Sequence, residues 1–186
     1  MPFETLLFSV ERGIARLTLN RPGKLNSFNT TMHEEVRAAL ARVVPEGARV
    51  LVLTGAGRAF CAGQDLADRA VAPDAGPVDL GDSIEEHYKP LVLALRNLPL
   101  PVIAAVNGIC CGGGLELALS ADLILCSDNA TFALPEIRSG TVADAASIKL
   151  PKRIPYHVAM DLLLTGRWFD AEEALRWGIV KEITTQ

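Results

Sequence analysis

Three glycines and a glutamate are the residues of this chain best placed to do chemistry, in the stretch Asn107-Gly108-Ile109-Cys110-Cys111-Gly112-Gly113-Gly114-Leu115-Glu116. An apolar run, residues 101–106, precedes it and has the composition of a buried strand. Residues 115–121 follow and are rich in good helix formers. Glycines at a strand-to-helix junction let main chain approach a ligand closely. First-turn N–H groups attract an anion, or an oxygen gaining negative charge. Glu116 brings a carboxylate to the same place. A tight turn followed by an exposed glutamate fits the same pattern. A second glycine-bearing loop, residues 55–66, follows the apolar run 50–54. It therefore sits at a strand end, where open α/β sheets bind ligands.

The elements that must position these loops can be read in order. Residues 6–10 and 14–19 are β-type runs turned by Glu11-Arg12-Gly13, a hairpin. Residues 20–28 have loop composition. Thr30 or Thr31 caps a helix to about Val44, with Met32, Val36, Ala39, Leu40 and Val43 on one face. Residues 67–81, rich in Ala, Asp, Pro and Gly, are expected to form a mobile surface loop, and a helix follows from about Ser83 to Asn97. Past the glycine run, residues 122–126 read as a buried strand and 129–134 as a short β-type segment. Pro135-Glu136 opens a loop. Helices are expected at 144–153, 158–164 and 171–177, the last capped by Asp170, and a final strand at 179–183.

With 186 residues, 49% hydrophobic and 22% charged, the chain has the composition of one ordinary globular domain. A net charge of -4 without a basic cluster points away from nucleic acid. No apolar window is long enough for a membrane span, and the N-terminus lacks a signal-peptide pattern. Cys61, Cys110, Cys111 and Cys126 form no CxxC pair and have no histidine at zinc spacing, so no metal site is expected. They read as reduced packing residues of a cytoplasmic protein, with Cys61 open as a reactive thiol.

Several of these segments together resemble the enoyl-CoA hydratase/isomerase (crotonase) superfamily. They are Arg21-Pro22 with Leu25-Asn26, then Ala59 through Leu66, then Gly112-Gly113-Gly114-Leu115-Glu116 and Pro135-Glu136. Leu164-Thr165-Gly166, Ala171-Glu172-Glu173-Ala174 and Gly178-Ile179-Val180 complete the set. Within that superfamily, residues 1–98 look most like the phenylacetate-pathway ring-epoxide isomerases, and the rest like carnitinyl-CoA dehydratase. The resemblance implies an α/β fold, a spiral of ββα units in two sheets wrapped by helices. It implies one acyl-CoA-binding core domain over residues 1–186, ending before the C-terminal helices that family members usually add. It also implies a homotrimer or hexamer.

The resemblance further implies roles. Two backbone N–H groups, of Gln64 and Gly113, would stabilise the enolate oxygen of a thioester. Glu116 and Glu136, at the family's twenty-residue spacing, would hold water and relay protons. Asp144 matches the position that the isomerases use for catalysis, and capping or supporting the helix that begins there is the reading placed ahead of direct catalysis. Lys24, Leu25 and Ser27 on one side, and Ala62, Asp65, Leu66 and Gly112 on the other, would contact the acyl-CoA. The implied reaction is hydration or dehydration of a 2-enoyl-CoA, with coenzyme A as part of the substrate and no further cofactor. Double-bond isomerisation through Asp144 is the alternative, as is a relative that binds acyl-CoA or assembles without catalysis.

Overall fold

The computed structural model describes residues 2–67, 81 and 84–185. The expected surface loop at 67–81 and the helix start at Ser83 lie almost wholly outside the described residues. The chain begins with an antiparallel hairpin, β1 (Leu6–Glu11) and β2 (Ile14–Leu19). Helix α1 (Thr30–Val43) buries the expected stripe of Met32, Val36, Ala39, Leu40 and Val43. Its cap is Asn29 rather than either threonine. Asn29 is extended, and its side chain accepts the Met32 N–H at 2.9 Å. An asparagine oxygen reaches the third amide of a helix as well as a threonine hydroxyl does, which shifts the boundary by one residue.

A long strand, a short strand and a helix then repeat three times. The first unit is β3 (Val50–Gly55), β4 (Ala59–Cys61) and α2 (Lys89–Arg96), the helix being preceded by a π-helical turn over Ile84–Tyr88. The second is β5 (Val102–Val106), β6 (Ile109–Cys111) and α3 (Gly113–Ala118). The third is β7 (Leu123–Ser127), β8 (Thr131–Ala133) and α4 (Asp144–Lys149). Helix α5 (Tyr156–Thr165), β9 (Phe169–Asp170), α6 (Ala171–Arg176) and β10 (Glu182–Thr184) follow. Among the described residues, the strands form a six-stranded sheet, β1-β2-β3-β5-β7-β10, and a four-stranded sheet, β4-β6-β8-β9. Within the three repeats, the alternation sends each long strand to the six-stranded sheet and each short strand to the four-stranded one. This is the ββα arrangement that the resemblance implies.

Two elements are shorter than the sequence suggests. Helix α4 stops at Lys149, and the chain tightens to a 3-10 turn over Leu150–Lys152, because Pro151 cannot continue an α-helix. The last strand starts at Glu182, since the Ile179 and Val180 N–H groups bond back to the Ala174 carbonyl past Gly178. Asp170 caps α6 as expected, accepting the Glu173 N–H at 2.8 Å. The core is continuous, with Phe28, Phe60 and Phe132 among the largest fully buried side chains. Among the described residues no helix is long and apolar enough to cross a membrane.

Candidate active site

Strands β4, β6 and β8 run parallel, and all three end at one cavity of about 230 Å³. Ligand sites at the carboxyl ends of parallel strands are a general outcome, because the chain must leave the sheet there.

The end of β4 carries Ala62-Gly63-Gln64. The Phe28 N–H donates to the Gly63 carbonyl at 2.7 Å, and the Asp65 N–H donates to the Phe28 carbonyl at 2.8 Å. This bridge clamps Gln64 from both sides and turns its own N–H the other way. The end of β6 carries the glycine run. Gly112 adopts φ 56° and ψ −132°, a conformation open in practice to glycine alone, and its N–H donates to the Ala133 carbonyl at 3.0 Å. At Gly114 a Cβ would lie 2.2 Å from the Cys61 carbonyl oxygen, so α3 seats on the end of β4 only without a side chain. A Cβ at Gly63 would lie 3.1 Å from the Gly113 nitrogen, which places the two loops in contact. Among the described residues, neither the Gln64 nor the Gly113 N–H donates to a backbone carbonyl. Both residues line the cavity.

The carboxylates face this pair of donors. Glu116 is buried on α3, and its Oε1 accepts the Ala146 N–H, in the first turn of α4, at 3.0 Å. Burial pushes its pKa up to about 7, with the charges of Glu136 and Asp144 adding to the rise. The Ala146 N–H and the Lys149 ammonium oppose it. Lys149 itself ties α4 to α3 a turn further on, donating to the Ser120 hydroxyl at 2.5 Å. Glu136 lies in the 3-10 turn Pro135–Ser139 that leaves β8. Burial and Asp144 also raise its pKa, and among the described residues its Oε2 is buried without a hydrogen-bond partner.

Asp144 lines the same cavity as the first residue of α4. Its expected capping role is not what the structure shows. Ala143 occupies the cap position without a side-chain bond, and the Ala146 N–H that a cap would satisfy goes to Glu116 instead. Cys61 agrees with the packing reading and not with the reactive one: it is fully buried, and burial pushes its thiol up to about 12.

The residues expected to contact acyl-CoA separate into two groups. Ala62, Leu66 and Gly112 line the cavity. Lys24, Leu25, Ser27 and Asp65 are not among its lining residues; Lys24 is exposed, while Leu25, Ser27 and Asp65 join a hydrogen-bonded network beside it. Arg21 donates to the Ser27 carbonyl at 2.6 Å and to Asp65 at 2.9 Å, and the Leu25 carbonyl accepts the Ala62 N–H at 3.0 Å. Asn26, fully buried at φ 56°, accepts the Arg21 N–H and donates to the Ala56 and Ala59 carbonyls.

Sequence reasoning missed Tyr88. Its hydroxyl donates to Gln64 Oε1 at 2.8 Å and lies 2.9 Å from where a Cβ on Gly113 would stand. The signal was its i, i+3, i+7 phase with Leu91 and Leu95, the buried residues of α2.

A ββα spiral with two backbone donors facing two carboxylates is the arrangement of an enzyme that stabilises a carbonyl oxyanion while moving protons. The comparisons give the particular family. The enoyl-CoA hydratase/isomerase family model matches residues 9–186, and the chain belongs to that family. The 1,2-epoxyphenylacetyl-CoA isomerase of Escherichia coli (strain K12) is 44% identical over 182 residues, covering 97% of this chain and 70% of the relative. The carnitinyl-CoA dehydratase of Proteus mirabilis (strain HI4320) is 42% identical over 187 residues, covering 98% and 69%. The crystal structure of an enoyl-CoA hydratase from Bacillus anthracis superposes with a TM-score of 0.88 at 31% identity, covering 98% of this chain and 70% of that one.

Proposed function

We propose that this enzyme adds water reversibly across the C2–C3 double bond of a 2-enoyl-CoA thioester. The observation that carries the reading is the convergence of Glu116 and Glu136 on the cavity lined by Gln64 and Gly113. The thioester oxygen accepts from the Gln64 and Gly113 N–H groups. Water attacks C3 while a carboxylate takes its proton. The C2–C3 π pair moves onto the thioester oxygen as an enolate, and the enolate collapses as C2 receives a proton. The two donors hold the charge where it develops, each worth about 3–4 kcal/mol. The unpartnered Glu136 Oε2 supports a role in holding the water. The scheme adds the elements of water with no net oxidation or reduction, so it calls for no cofactor besides the coenzyme A of the substrate.

Crotonyl-CoA hydration, followed by loss of absorbance of the conjugated thioester, tests the assignment. Glu116→Gln and Glu136→Gln should each lower the rate at least ~100-fold with little change in affinity for coenzyme A. Full activity in either variant sinks it. Asp144→Asn should do less. Because Asp144 shares the cavity, a second reading has it shuttle a proton along the acyl chain to move the double bond. Loss of all turnover in Asp144→Asn alone would select that isomerase reading.

We further propose that the chain forms one acyl-CoA-binding domain and assembles as a homotrimer or hexamer in the cytoplasm. Exposed Leu164, Trp168, Tyr156 and Leu123 support burial against further protein surface.

A further inference from the structure

The acyl cavity has a polar wall that the chemistry above leaves unused. Main-chain Gln64 serves as a donor whatever its side chain, yet that side chain is held in a fixed orientation. Tyr88 donates its hydroxyl proton to Gln64 Oε1 at 2.8 Å. With the amide oxygen taken up by this bond, the Nε2 end keeps its two donors for another group. Among the described residues, no protein group accepts from Gln64 Nε2. Both side chains belong to residues that line the cavity.

Tyr88 is itself held. Its ring meets the buried His33 edge-on, with centroids 4.7 Å apart, and His33 also stacks on His87 at 5.2 Å and tilts against Phe28 at 4.7 Å. His87 and Tyr88 are consecutive, and both reach His33 because the chain makes a π-helical turn over Ile84–Tyr88. The wider turn changes the phase at which side chains leave the helix, a deviation concentrated at functional sites. The hydroxyl is therefore set beside Gly113 by packing rather than left to sample solvent.

A wholly hydrocarbon acyl chain would bury this amide without giving it an acceptor, which disfavours binding. We propose that the Gln64 amide and the Tyr88 hydroxyl recognise an oxygen substituent on the acyl chain, beyond the thioester carbonyl, making these two residues specificity determinants for oxygenated acyl-CoA thioesters. The inference rests on the acyl-CoA reading above but not on which reaction follows.

Calorimetric binding separates the two. Butyryl-CoA and 4-hydroxybutyryl-CoA differ by one hydroxyl, and neither carries the conjugated double bond or the 3-hydroxyl that hydration and dehydration require. The unaltered protein should bind the hydroxylated thioester at least about fivefold more tightly, and Tyr88→Phe and Gln64→Leu should each bring that ratio close to one. Circular dichroism reports folding. Should Tyr88→Phe fail to fold, Gln64→Leu still reads the pair, since the main-chain donor at residue 64 is kept. Equal affinities in the unaltered protein, or a ratio that survives in the folded variants, overturns the inference. A preserved ratio in unaltered protein that does not turn over crotonyl-CoA upholds it while removing the hydratase reading. Crotonyl-CoA turnover without any ratio removes the inference alone.

Discussion

Glu116 combines burial, a backbone donor and two neighbouring carboxylates, and these set its behaviour with pH. The native pKa of about 7 lies above the ordinary value of 4.5, so the folded protein holds this proton more tightly than the unfolded chain. The stability that follows is fully present below pH 4.5 and is lost as pH rises through about 7, up to about 3 kcal/mol. Gln at 116 removes the titration and can still accept from Ala146. The melting temperature of Glu116→Gln relative to the unaltered protein should therefore rise by roughly 5 °C between about pH 5 and about pH 8. No relative change would show that Glu116 titrates normally. At Gly113 the issue is space. Its φ lies outside the left-handed region, and the nearest neighbour of an added Cβ is the Tyr88 hydroxyl. Gly113→Val should stay folded and lose at least ~100-fold in crotonyl-CoA turnover; normal rates would make the glycine run a turn and nothing more.

Short strands and struts deliver these groups, and they explain what the sequence could and could not tell. The hairpin, the α1 stripe and the five-residue strands β5 and β7 were legible because each shows a period or an apolar run long enough to read. Strands β4 and β6 were not. Three residues cannot display alternation, and their partners lie some fifty residues away in each other. The strut around Asn26 was visible only as a loop, since a left-handed asparagine bonding carbonyls thirty residues ahead leaves no local mark. Its importance is testable. Asn26→Ala strands the Arg21 N–H and the Ala56 carbonyl, leaves the Ala59 carbonyl with the longer bond from Asn107 and keeps an unfavourable φ, so it should destabilise by about 3 kcal/mol in chemical denaturation. Gly114→Ala should also cost stability, by about 2 kcal/mol or more, because the Cys61 carbonyl is main chain and cannot swing aside. Unchanged denaturation midpoints would mean that α3 does not sit on β4 as described.

For the whole molecule, the family was legible from the order of its motifs, and the ββα spiral followed from the family rather than from any single periodicity. Which side chains meet in the cavity was less legible. Glu116 and Glu136 were singled out by the family resemblance, while Tyr88, arriving from a different unit of the spiral, was not. Lys24, Leu25, Ser27 and Asp65 flank the right loops; Leu25, Ser27 and Asp65 also bond across them, which no local pattern in the sequence announces. Assembly belongs to this scale too. With Leu164, Trp168 and Tyr156 about half exposed or more, the protein should sediment and scatter light as a homo-oligomer at micromolar concentration. A stable monomer there would refute the proposed trimer or hexamer.

The bond from the Ala146 amide to Glu116 joins the proton on this buried carboxyl to the order of a neighbouring helix. An ionised carboxylate is a stronger acceptor than a protonated one. Helix α4, which begins with Asp144, is therefore held most firmly when Glu116 is charged. The Ala146 amide hydrogen becomes a built-in indicator. Its resonance should move with a midpoint at the Glu116 titration, and its exchange with solvent, corrected for the intrinsic pH dependence, should slow as that titration completes. The protonation state of Glu116 could then be followed in the unliganded enzyme, without substrate and without turnover.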